Sequence, residues 1–440
     1  MSKKQYIVAL EIGSSKVVGA VAEKIADNRL EVKHVEEVLQ SNCVNYGIVQ
    51  NVENIKSCIG TILRSIERVI SGNVTQVFVG LAGRTLHSES SEINRSIDAS
   101  QPITQAIIDN IIAEGSRNGI KRYETLKVVP RAFYVDKSLV TTNDPVGQYG
   151  NSIKIKFNMI VANSNIMLNL KRALSMTNTH NERNFIITLL AMGEHVLNPD
   201  EKRLGCMLVD MGAETTSVAI YKGGMLAYLN TIPLGGRNIT LDIANGMNVL
   251  ENNSERVKKN INNPLDVANV DNITIEGISS KEAALYINAR AGEIIANVNK
   301  QLEYAGMTAN EIPTIVLTGG AAQLKGIAKK VEETTKIKVR MANMPSNIFC
   351  HDCNNANRPE FVQLMALIAE AAHTIDPMDS CITIHNYDDG PIIHDPKPAP
   401  QPAPGPNPKE PKKPKGTSWW NRMKDRFESL GDKLTEDPDQ

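Results

Sequence analysis

Two stretches of the chain share one pattern of hydrophobic and polar positions. In "QYIVALEIGSSKVVGAVAE" (5–23) and "GCMLVDMGAETTSVAIYKGG" (205–224), an apolar run leads to an acidic residue, one spacer, a glycine, a short polar turn and a second apolar run. Apolar runs that flank a Gly-containing turn predict a β-hairpin. Because the same pattern occurs twice, we expect two similar α/β halves, each beginning with a hairpin.

A third glycine turn and several helical segments complete the pattern. "TIVLTGGAAQLKGI" (314–327) predicts a strand, a Gly-Gly turn and a helix, and residues 104–116 and 281–305 have helical periodicity. Alternating strands and helices predict a three-layer α/β architecture. Residues 84–162 break this rhythm with short strands and turns, which predicts an inserted α+β subdomain.

The composition changes after about residue 385. Ten of the 21 prolines lie between Pro391 and Pro414. Alternating proline favours extended polyproline II and does not build a core. We therefore expect the body to fold alone and residues 386–416 to act as a semi-stiff linker.

The segment after the linker, residues 417–434, predicts an amphipathic helix. Trp and Phe on one face and basic residues on the other suit the boundary between water and lipid. The alternative is a helix that packs on its own body or in a partner's groove. The apolar stripe has spacings of 3, 4, 3 and 4, with Trp419 beside it, and consists of Trp420, Met423, Phe427, Leu430 and Leu434.

Overall composition excludes several classes of protein. The 440 residues carry a formal net charge of -1, which argues against bulk attraction to nucleic acid. Six cysteines are too few for a disulfide framework. No apolar stretch is long enough to cross a membrane and no secretory signal is apparent, so we expect a cytosolic location.

The glycine turns suit phosphate binding. Glycine lets successive backbone amides converge on one anion, and neither a Walker A motif nor a strand followed by G-x-G-x-x-G is present. Glu11 and Asp210, one from each half, are candidates to orient the water shell of Mg²⁺ and an attacking water. The alternative is that each carboxylate accepts N–H bonds within its own turn.

These motifs resemble those of the actin / Hsp70 / sugar-kinase superfamily and, within it, the FtsA family of bacterial cell-division proteins. The resemblance covers nearly all of residues 5–385 and the tail. Its most diagnostic stretches are "DPVG" (144–147) and "GGRNITLDIA" (235–244), supported by "LEIGSSKV" (10–17) and "VLTGGAAQLKGI" (316–327).

The resemblance implies an actin-like (ribonuclease H-like) fold with duplicated domains. It divides the chain into a first lobe (1–83 and 163–200), the inserted subdomain (84–162), a second lobe (201–385) that includes a 221–300 subdomain, the disordered Pro-rich linker (386–416) and the amphipathic membrane-targeting helix (417–434).

The resemblance also implies ATP and Mg²⁺ as ligands, with Glu11 and Asp210 acting on the metal through water. A helix starting near Arg237 or Asn238 would offer free N-terminal amides to the nucleotide. The alternative for Lys16 is a solvated lysine at a strand end, without a nucleotide contact. The alternative for Glu255 and Lys258 is an ordinary exposed ion pair. The nucleotide contacts implied are Gly13, Ser14, Ser15, Lys16, Gly212, Thr215, Thr216, Gly235, Gly236, Asn238, Glu255, Lys258, Gly319, Gly320 and Gln323.

The chain departs from the superfamily at four positions near these turns. Glu11 and Ser217 stand where aspartate is common, and Ala213 and Glu214 stand where the family usually has glycine. A negative charge at Glu214 would weaken phosphate binding unless the side chain points outward. We therefore expect slow ATP hydrolysis at most.

The implied function is an ATP-binding cell-division protein that forms head-to-tail polymers on the cytoplasmic face of the membrane, at the septum. Its implied partners are the FtsZ C-terminal peptide, bound near 221–300, further copies of itself, anionic lipid, and later division proteins. The alternatives are an actin-fold small-molecule kinase and an Hsp70-like or pilus-assembly ATPase. Cys350, His351 and Cys353 match half of a zinc-binding pattern. The alternative is an ordinary loop whose cysteines are reduced.

Overall fold

The computed structural model describes residues 4–26, 28–40, 42–117, 122–140, 144–175, 184–350 and 358–384. The expected linker and amphipathic helix lie outside these residues, as do His351 and Cys353. No helix in the described part is long and apolar enough to cross a membrane.

The first half is a sheet packed on one long helix. The buried positions of α1 recur every three or four residues, and Asn51 caps its start by accepting the Asn54 N–H. The elements are β1 (Gln5–Ile12), β2 (Lys16–Ala26), β3 (Arg29–Leu39), β4 (Val44–Asn45), β5 (Ile48–Val49), α1 (Val52–Ile70), β6 (Gly72–Val74) and β7 (Phe78–Leu81).

The inserted subdomain is an antiparallel sheet with a helix on one face. Ile153, Ile155 and Phe157 alternate along β11 toward α2, and Gly115 of α2 sits against the Phe157 ring. The elements are β8 (His87–Ser96), α2 (Gln105–Arg117), β9 (Glu124–Val135), β10 (Ser138–Leu139) and β11 (Ser152–Ala162). The helix predicted at 104–116 is confirmed.

Three helices and a short strand connect the insertion to the second half. They are α3 (Asn165–Ser175), β12 (Phe185–Ile187), α4 (Thr188–His195) and α5 (Pro199–Leu204). Asn198 and Glu201 form a capping box at the start of α5, with Pro199 in the first turn.

The second half repeats the opening hairpin and places helices behind it. Its elements are β13 (Cys206–Met211), β14 (Thr216–Lys222), β15 (Met225–Ile232), α6 (Gly236–Met247), α7 (Glu251–Asn260), β16 (Thr274–Ile275), β17 (Ile278–Ser279), α8 (Ser280–Tyr304), β18 (Thr314–Thr318), α9 (Ile327–Thr335) and β19 (Lys338–Met341). The predicted hairpin, the helix near 281–305 and the strand before the Gly-Gly turn are confirmed.

The chain then returns to the first half. The last elements are β20 (Ile348–Phe349), α10 (Val362–Thr374) and β21 (Ile382–Ile384). β20 extends the first sheet beside β3, β21 pairs with β6, and the buried face of α10 joins the core of the first half.

Two sheets organise the molecule. The first has the order β12-β7-β1-β2-β3-β20, and the second has the order β10-β9-β11-β8-β15-β14-β13-β18-β19. The second sheet therefore joins the inserted subdomain to the second half through β8 and β15. Separate hydrophobic clusters fill the first half, the second half, the space around α4 between them, and the insertion.

Candidate functional site

The two hairpins have the same register. Glu11 pairs with Val18 across the first hairpin, and Asp210 pairs with Ser217 across the second, at equivalent positions. The Gly13 N–H donates to the Lys16 carbonyl at 2.9 Å, and the Gly212 N–H donates to the Thr215 carbonyl at 2.8 Å. The repeat seen in the sequence is thus a repeat of backbone geometry.

The acidic residues of both hairpins are half-buried and interact across the two halves. Burial raises the pKa of Glu11 to about 8, and the nearby charge of Asp210 adds to that rise. Burial also raises the pKa of Asp210 to about 7, against a hydrogen bond with Gln363. Perturbed carboxylates that converge from two elements mark a candidate site.

Two oxygens at this position lack hydrogen-bond partners among the described residues. They are Asp210 Oδ1 and Thr318 Oγ1, from residues that pair directly between β13 and β18. Buried polar atoms without partners are uncommon and call for an explanation. No bond from either carboxylate to its own turn is found in the described part, so the capping alternative does not account for them.

The two residues of the Gly-Gly turn, Gly319 and Gly320, have different structural roles. Gly319 has φ +92°, and a Cβ there would lie 2.4 Å from the Met211 carbonyl oxygen and 2.5 Å from Asp210 Oδ1. A Cβ on Gly320 would meet no atom within 4 Å. Gly319 therefore lets the turn approach Asp210, whereas Gly320 is the residue that borders open space.

The start of α6 differs from expectation. We expected free N-terminal amides near Arg237 or Asn238; instead α6 begins at Gly236, and the Gly236 and Arg237 N–H groups donate to the Gly212 and Ala213 carbonyls at 3.0 and 2.7 Å. These two amides hold the second turn and are not free. Asn238 Oδ1 accepts the Gly235 N–H at 2.9 Å and so caps the helix.

Gly235 explains how the helix comes so close to the turn. A Cβ at Gly235 would lie 2.6 Å from the Ala213 carbonyl carbon and oxygen. Thr216 is fully buried and donates from Oγ1 to the Leu234 carbonyl at 2.8 Å, which fixes the same loop. The Thr216 hydroxyl is therefore used within the protein.

Residues outside the turn of the first hairpin form hydrogen bonds that fix it. Gln40 donates from Nε2 to the Gly13 carbonyl at 2.9 Å, and Ser14 Oγ accepts the Gly47 N–H at 3.2 Å. Ser15 is exposed. Lys16 is not a solvated lysine: its Nζ lies 3.0 Å from Glu37 Oε2 and 3.5 Å from Glu360 Oε1, so it is paired with acidic side chains.

Glu214 points away from the second turn and toward the first half. Its carboxylate accepts the Tyr46 N–H at 2.6 Å and a bond from Arg237 Nη1 at 2.7 Å. Arg237 also binds Glu251 and donates to Asn42 Oδ1 at 3.3 Å. The negative charge that threatened phosphate binding is thus neutralised in a contact between the halves.

The expected adenosine-side pair is an ion pair, but it is not simply exposed. Lys258 Nζ lies 2.6 Å from Glu255 Oε2 and donates to the Gly236 carbonyl at 2.9 Å. Only 12% of the Lys258 side chain is exposed. Gln323 lies at the exposed end of the short 3-10 helix Ala321–Gln323.

Sequence reasoning missed four residues at this site. Thr318 and Gln363 face Asp210, and Tyr46 and Arg237 receive Glu214. The strand that carries Thr318 was predicted, but no sequence motif indicates that the Thr318 hydroxyl faces Asp210. Gln363 and Tyr46 belong to the first half, so only the fold brings them to the second hairpin.

Comparison with known proteins decides the family. A profile described as "Cell division protein FtsA" matches residues 207–366, and one described as "SHS2 domain inserted in FTSA" matches residues 83–161. The chain belongs to the FtsA family. It is 26% identical to the cell division protein FtsA of Buchnera aphidicola subsp. Baizongia pistaciae over 373 residues, which are 81% of this chain and 86% of the relative.

Other FtsA relatives give the same result. The chain is 28% identical to cell division protein FtsA of Bacillus subtilis over 358 residues, covering 78% of this chain and 80% of the relative. The chain is 25% identical to the cell division protein FtsA of Escherichia coli K12 over 363 residues, which are 78% of this chain and 85% of the relative. It is thus a member of a family of bacterial cell-division proteins.

A solved structure supports the fold. The "PilM-PilN type IV pilus biogenesis complex" aligns with a TM-score of 0.58 at 16% identity, covering 83% of this chain and 98% of that chain. This likeness concerns the fold alone. The expected actin-like α/β fold with duplicated halves and an inserted α+β subdomain is confirmed.

Proposed function

We propose that this FtsA-family chain binds ATP between its two halves and polymerises on the cytoplasmic face of the membrane. There it tethers FtsZ filaments at the septum and recruits later division proteins. The observation that carries the nucleotide proposal is the pair of half-buried carboxylates, Glu11 and Asp210, at equivalent ends of the two hairpins, with the Asp210 Oδ1 atom lacking a partner.

The residues present fit Mg²⁺. A hard cation that keeps its water shell suits two carboxylates, and water bound to it would satisfy the orphaned Asp210 and Thr318 oxygens. Bound Mg²⁺ would neutralise charge on the nucleotide phosphates. Glu11 and Asp210 would hold that ion through water, as the sequence suggested.

The remaining contacts follow from the turns. Gly13 and Gly212 shape the two phosphate turns, and Gly320 offers the open edge to the nucleoside. Three expected contacts become positioning residues: Gly236 and Asn238 hold the second turn and the helix start, and Gly319 makes room for Asp210. Lys16 would bind phosphate only by leaving Glu37 and Glu360.

Slow hydrolysis at most is consistent with this arrangement. The pKa values of Glu11 and Asp210 are raised to near neutral pH. Among the described residues, neither carboxylate accepts a hydrogen bond from its own turn. We propose that ATP serves chiefly to hold the halves together. A slow ATPase rate with a tight Mg²⁺-dependent affinity is the expected profile.

Nucleotide titration of Asp210→Asn tests the site. Because the amide keeps the size but loses the charge, we expect Mg²⁺-dependent ATP affinity to fall at least tenfold, on the order of 1.4 kcal/mol. ATP affinity in EDTA should change little. Asp200→Asn, an exposed carboxylate on α5, is the matched control and should leave both affinities unchanged.

Equal Mg²⁺-dependent affinity in wild type and Asp210→Asn would refute the assigned metal role. Absence of any measurable ATP binding by the wild-type chain would refute the nucleotide proposal itself. Electron microscopy on lipid monolayers with ATP and purified FtsZ then tests assembly, where ordered filaments and recruited FtsZ are expected.

A further inference from the structure

A cleft lies where the inserted subdomain meets the second half. It has a volume of about 410 Å³ and is bordered by strands β8, β9 and β11 on one side and by Lys222, Ala227 and Met307 on the other. We call it the junction cleft. Volumes of roughly 300–1,000 Å³ are typical of small-ligand sites. None of its lining residues belongs to the hairpin turns described above.

The wall of the junction cleft is the face of the inserted sheet that α2 does not cover. Phe157 points into the core with α2, and its neighbours along β11 point the other way. Lys156 pairs in register with Glu92 on β8 and with Ala132 on β9, which places these residues on the cleft face.

A β-bulge delivers an arginine to this cleft. Lys156 faces Ala132 and the next residue, Phe157, faces Pro130, so Arg131 between them has no partner across the ladder. Pro130 cannot donate a ladder hydrogen bond, and proline within a sheet is found at bulges. A bulge turns a side chain away from the regular alternation of the strand.

Three cations line the junction cleft: Arg131, Lys156 and Lys222. Each residue is half-buried. In the part of the chain that the structure describes, neither Arg131 nor Lys156 has a carboxylate partner. Lys222 donates to the backbone carbonyls of Leu204 and Glu311 at 2.8 Å each, and its charge also interacts with the Glu311 carboxylate.

The remaining polar groups add donors and little negative charge. Ser90 and Tyr134 carry hydroxyls on the cleft face of the sheet, whereas Ser91 pairs with Phe157 and lines the cleft through its backbone. The one carboxylate of the lining, Glu92, is exposed and lies 3.8 Å from Lys154 Nζ. A chain of net charge -1 thus concentrates positive charge and N–H and O–H donors in one cleft.

We propose that the junction cleft binds the phosphoryl group of a small ligand. A guanidinium can bind two phosphate oxygens side by side, and ammonium and hydroxyl groups can donate to the rest. Arg131 and Lys156 are half-buried without a carboxylate partner among the described residues, so they gain more from a bound anion than fully exposed cations do, because water screens them less. The site is separate from the proposed nucleotide cleft and does not depend on it.

Chemical protection of Arg131 in the full chain tests the proposal. The probe is glycerol 3-phosphate, added without nucleotide, because the phosphates of ATP could themselves occupy the junction cleft. Phenylglyoxal modification of arginines is followed by peptide mass spectrometry. We expect several-fold slower modification of Arg131. Arg117, exposed at the end of α2 on the opposite side of the sheet, is the internal control and should react at an unchanged rate.

Variants and a lipid arm sharpen the test. Lys156→Gln should raise the half-protecting concentration at least tenfold, whereas Lys127→Gln, an exposed lysine on the same strand as Arg131, should not. Nanodiscs of phosphatidylglycerol, compared with phosphatidylcholine, replace the soluble probe in a parallel arm. Protection by glycerol 3-phosphate identifies a soluble ligand, and protection by phosphatidylglycerol alone identifies a lipid headgroup.

The wild-type measurement decides the matter without relying on any variant to fold. Unchanged modification of Arg131 with both probes would overturn the proposal. Equal protection of Arg131 and Arg117 would also overturn it, because it would show a non-specific effect of ionic strength. Protection that Lys156→Gln leaves unaltered would remove the cleft as its cause.

Discussion

Gly319 and Gly320 show how differently two identical neighbouring residues can be constrained. Gly319 adopts a left-handed backbone and sits against Asp210, while Gly320 faces open space with φ -62°. The Gly-Gly pair therefore combines a structural residue with one that borders the candidate nucleotide cleft.

Replacing each glycine by alanine should separate these roles. Gly319→Ala places a Cβ about 2.4 Å from the Met211 oxygen, so we expect the free energy of unfolding to fall by about 2–4 kcal/mol. Gly320→Ala, the matched control, should change it by less than about 0.5 kcal/mol. Urea unfolding measures both. Equal effects would mean that the close contact at Gly319 is absent in solution.

The raised pKa of Glu11 should appear in the pH dependence of stability. A carboxyl whose pKa rises from 4.5 to about 8 on folding favours the protonated form in the native state. The native state therefore loses stability as pH rises from about 4.5 to about 8. Glu11→Gln removes this loss, so without nucleotide it should match wild type near pH 4 and exceed it by roughly 4 kcal/mol at pH 8, since each unit of raised pKa corresponds to about 1.4 kcal/mol.

Thermal unfolding across pH 4–9 checks that expectation. Glu303→Gln, an exposed residue on α8, is the control and should follow the wild-type curve at every pH. A Glu11→Gln difference that is constant from pH 4 to pH 8 would contradict a titrating buried carboxyl at this position.

At the scale of elements, the second hairpin turn is held by a helix and by a loop from the other half. The first two amides of α6 bind the carbonyls of Gly212 and Ala213. Glu214, in the same turn, binds the Tyr46 N–H of the first half and Arg237 of α6. One turn thus joins a strand pair, a helix and the opposite half.

Glu214→Ala should weaken this junction. The change leaves the part-buried Tyr46 N–H and one arm of Arg237 without an acceptor, which costs about 2–3 kcal/mol of unfolding free energy. Hydrogen exchange at the Tyr46 amide should accelerate. In Glu251→Ala, which removes the half-exposed second partner of Arg237, the Tyr46 amide should keep its protection and stability should fall by less than about 1 kcal/mol.

The opposite ranking of these two variants would show that Glu251, rather than Glu214, carries the contact. Glu214→Gln offers an intermediate case, because the amide oxygen still accepts the Tyr46 N–H while the charge on Arg237 loses its partner. We expect its exchange rate to lie between those of wild type and Glu214→Ala.

At the scale of the whole molecule, the proposed tether separates membrane binding from the folded body. The apolar stripe of residues 417–434 is expected to insert at a lipid surface, with the Pro-rich linker as a leash. A marginal single-helix affinity would then grow through many copies in one polymer.

Liposome sedimentation tests this arrangement. Trp420→Glu places a charge in the stripe and should reduce co-sedimentation with anionic liposomes at least tenfold. Asn421→Glu introduces the same charge on the polar face of the same predicted helix and should reduce it far less. The unfolding midpoint of the body should not move in either variant. If Trp420→Glu sediments as wild type does, the tail has another role.

Much of the fold follows from the sequence, since it depends on local pattern. The duplicated hairpins, α2, α8 and the strand before Gly319 were predicted from periodicity and glycine placement. The return of β20, α10 and β21 to the first half was not predicted, because β20 pairs with β3 across more than 300 positions of sequence.

The candidate site was predicted less evenly. Glu11, Asp210 and their glycines were found because the motif occurs twice. The use of the Gly236 and Arg237 amides within the protein was not foreseen, since no pattern states which carbonyl will lie opposite a helix start. The outward turn of Glu214 depends on Tyr46, which the sequence places 168 positions away.

One short segment touches both hairpins. Glu360 and the Phe361 ring lie beside Lys16 of the first turn, while Gln363 bonds Asp210 at the end of the second hairpin's leading strand. Glu360 and Phe361 belong to the 3-10 turn Pro359–Phe361 that leads directly into α10, and Gln363 lies in the first turn of that helix, which runs to Thr374. A change in the distance between the two hairpin turns would therefore displace the N-terminal end of α10. We therefore expect the position of α10 to depend on what occupies the space between the two hairpins.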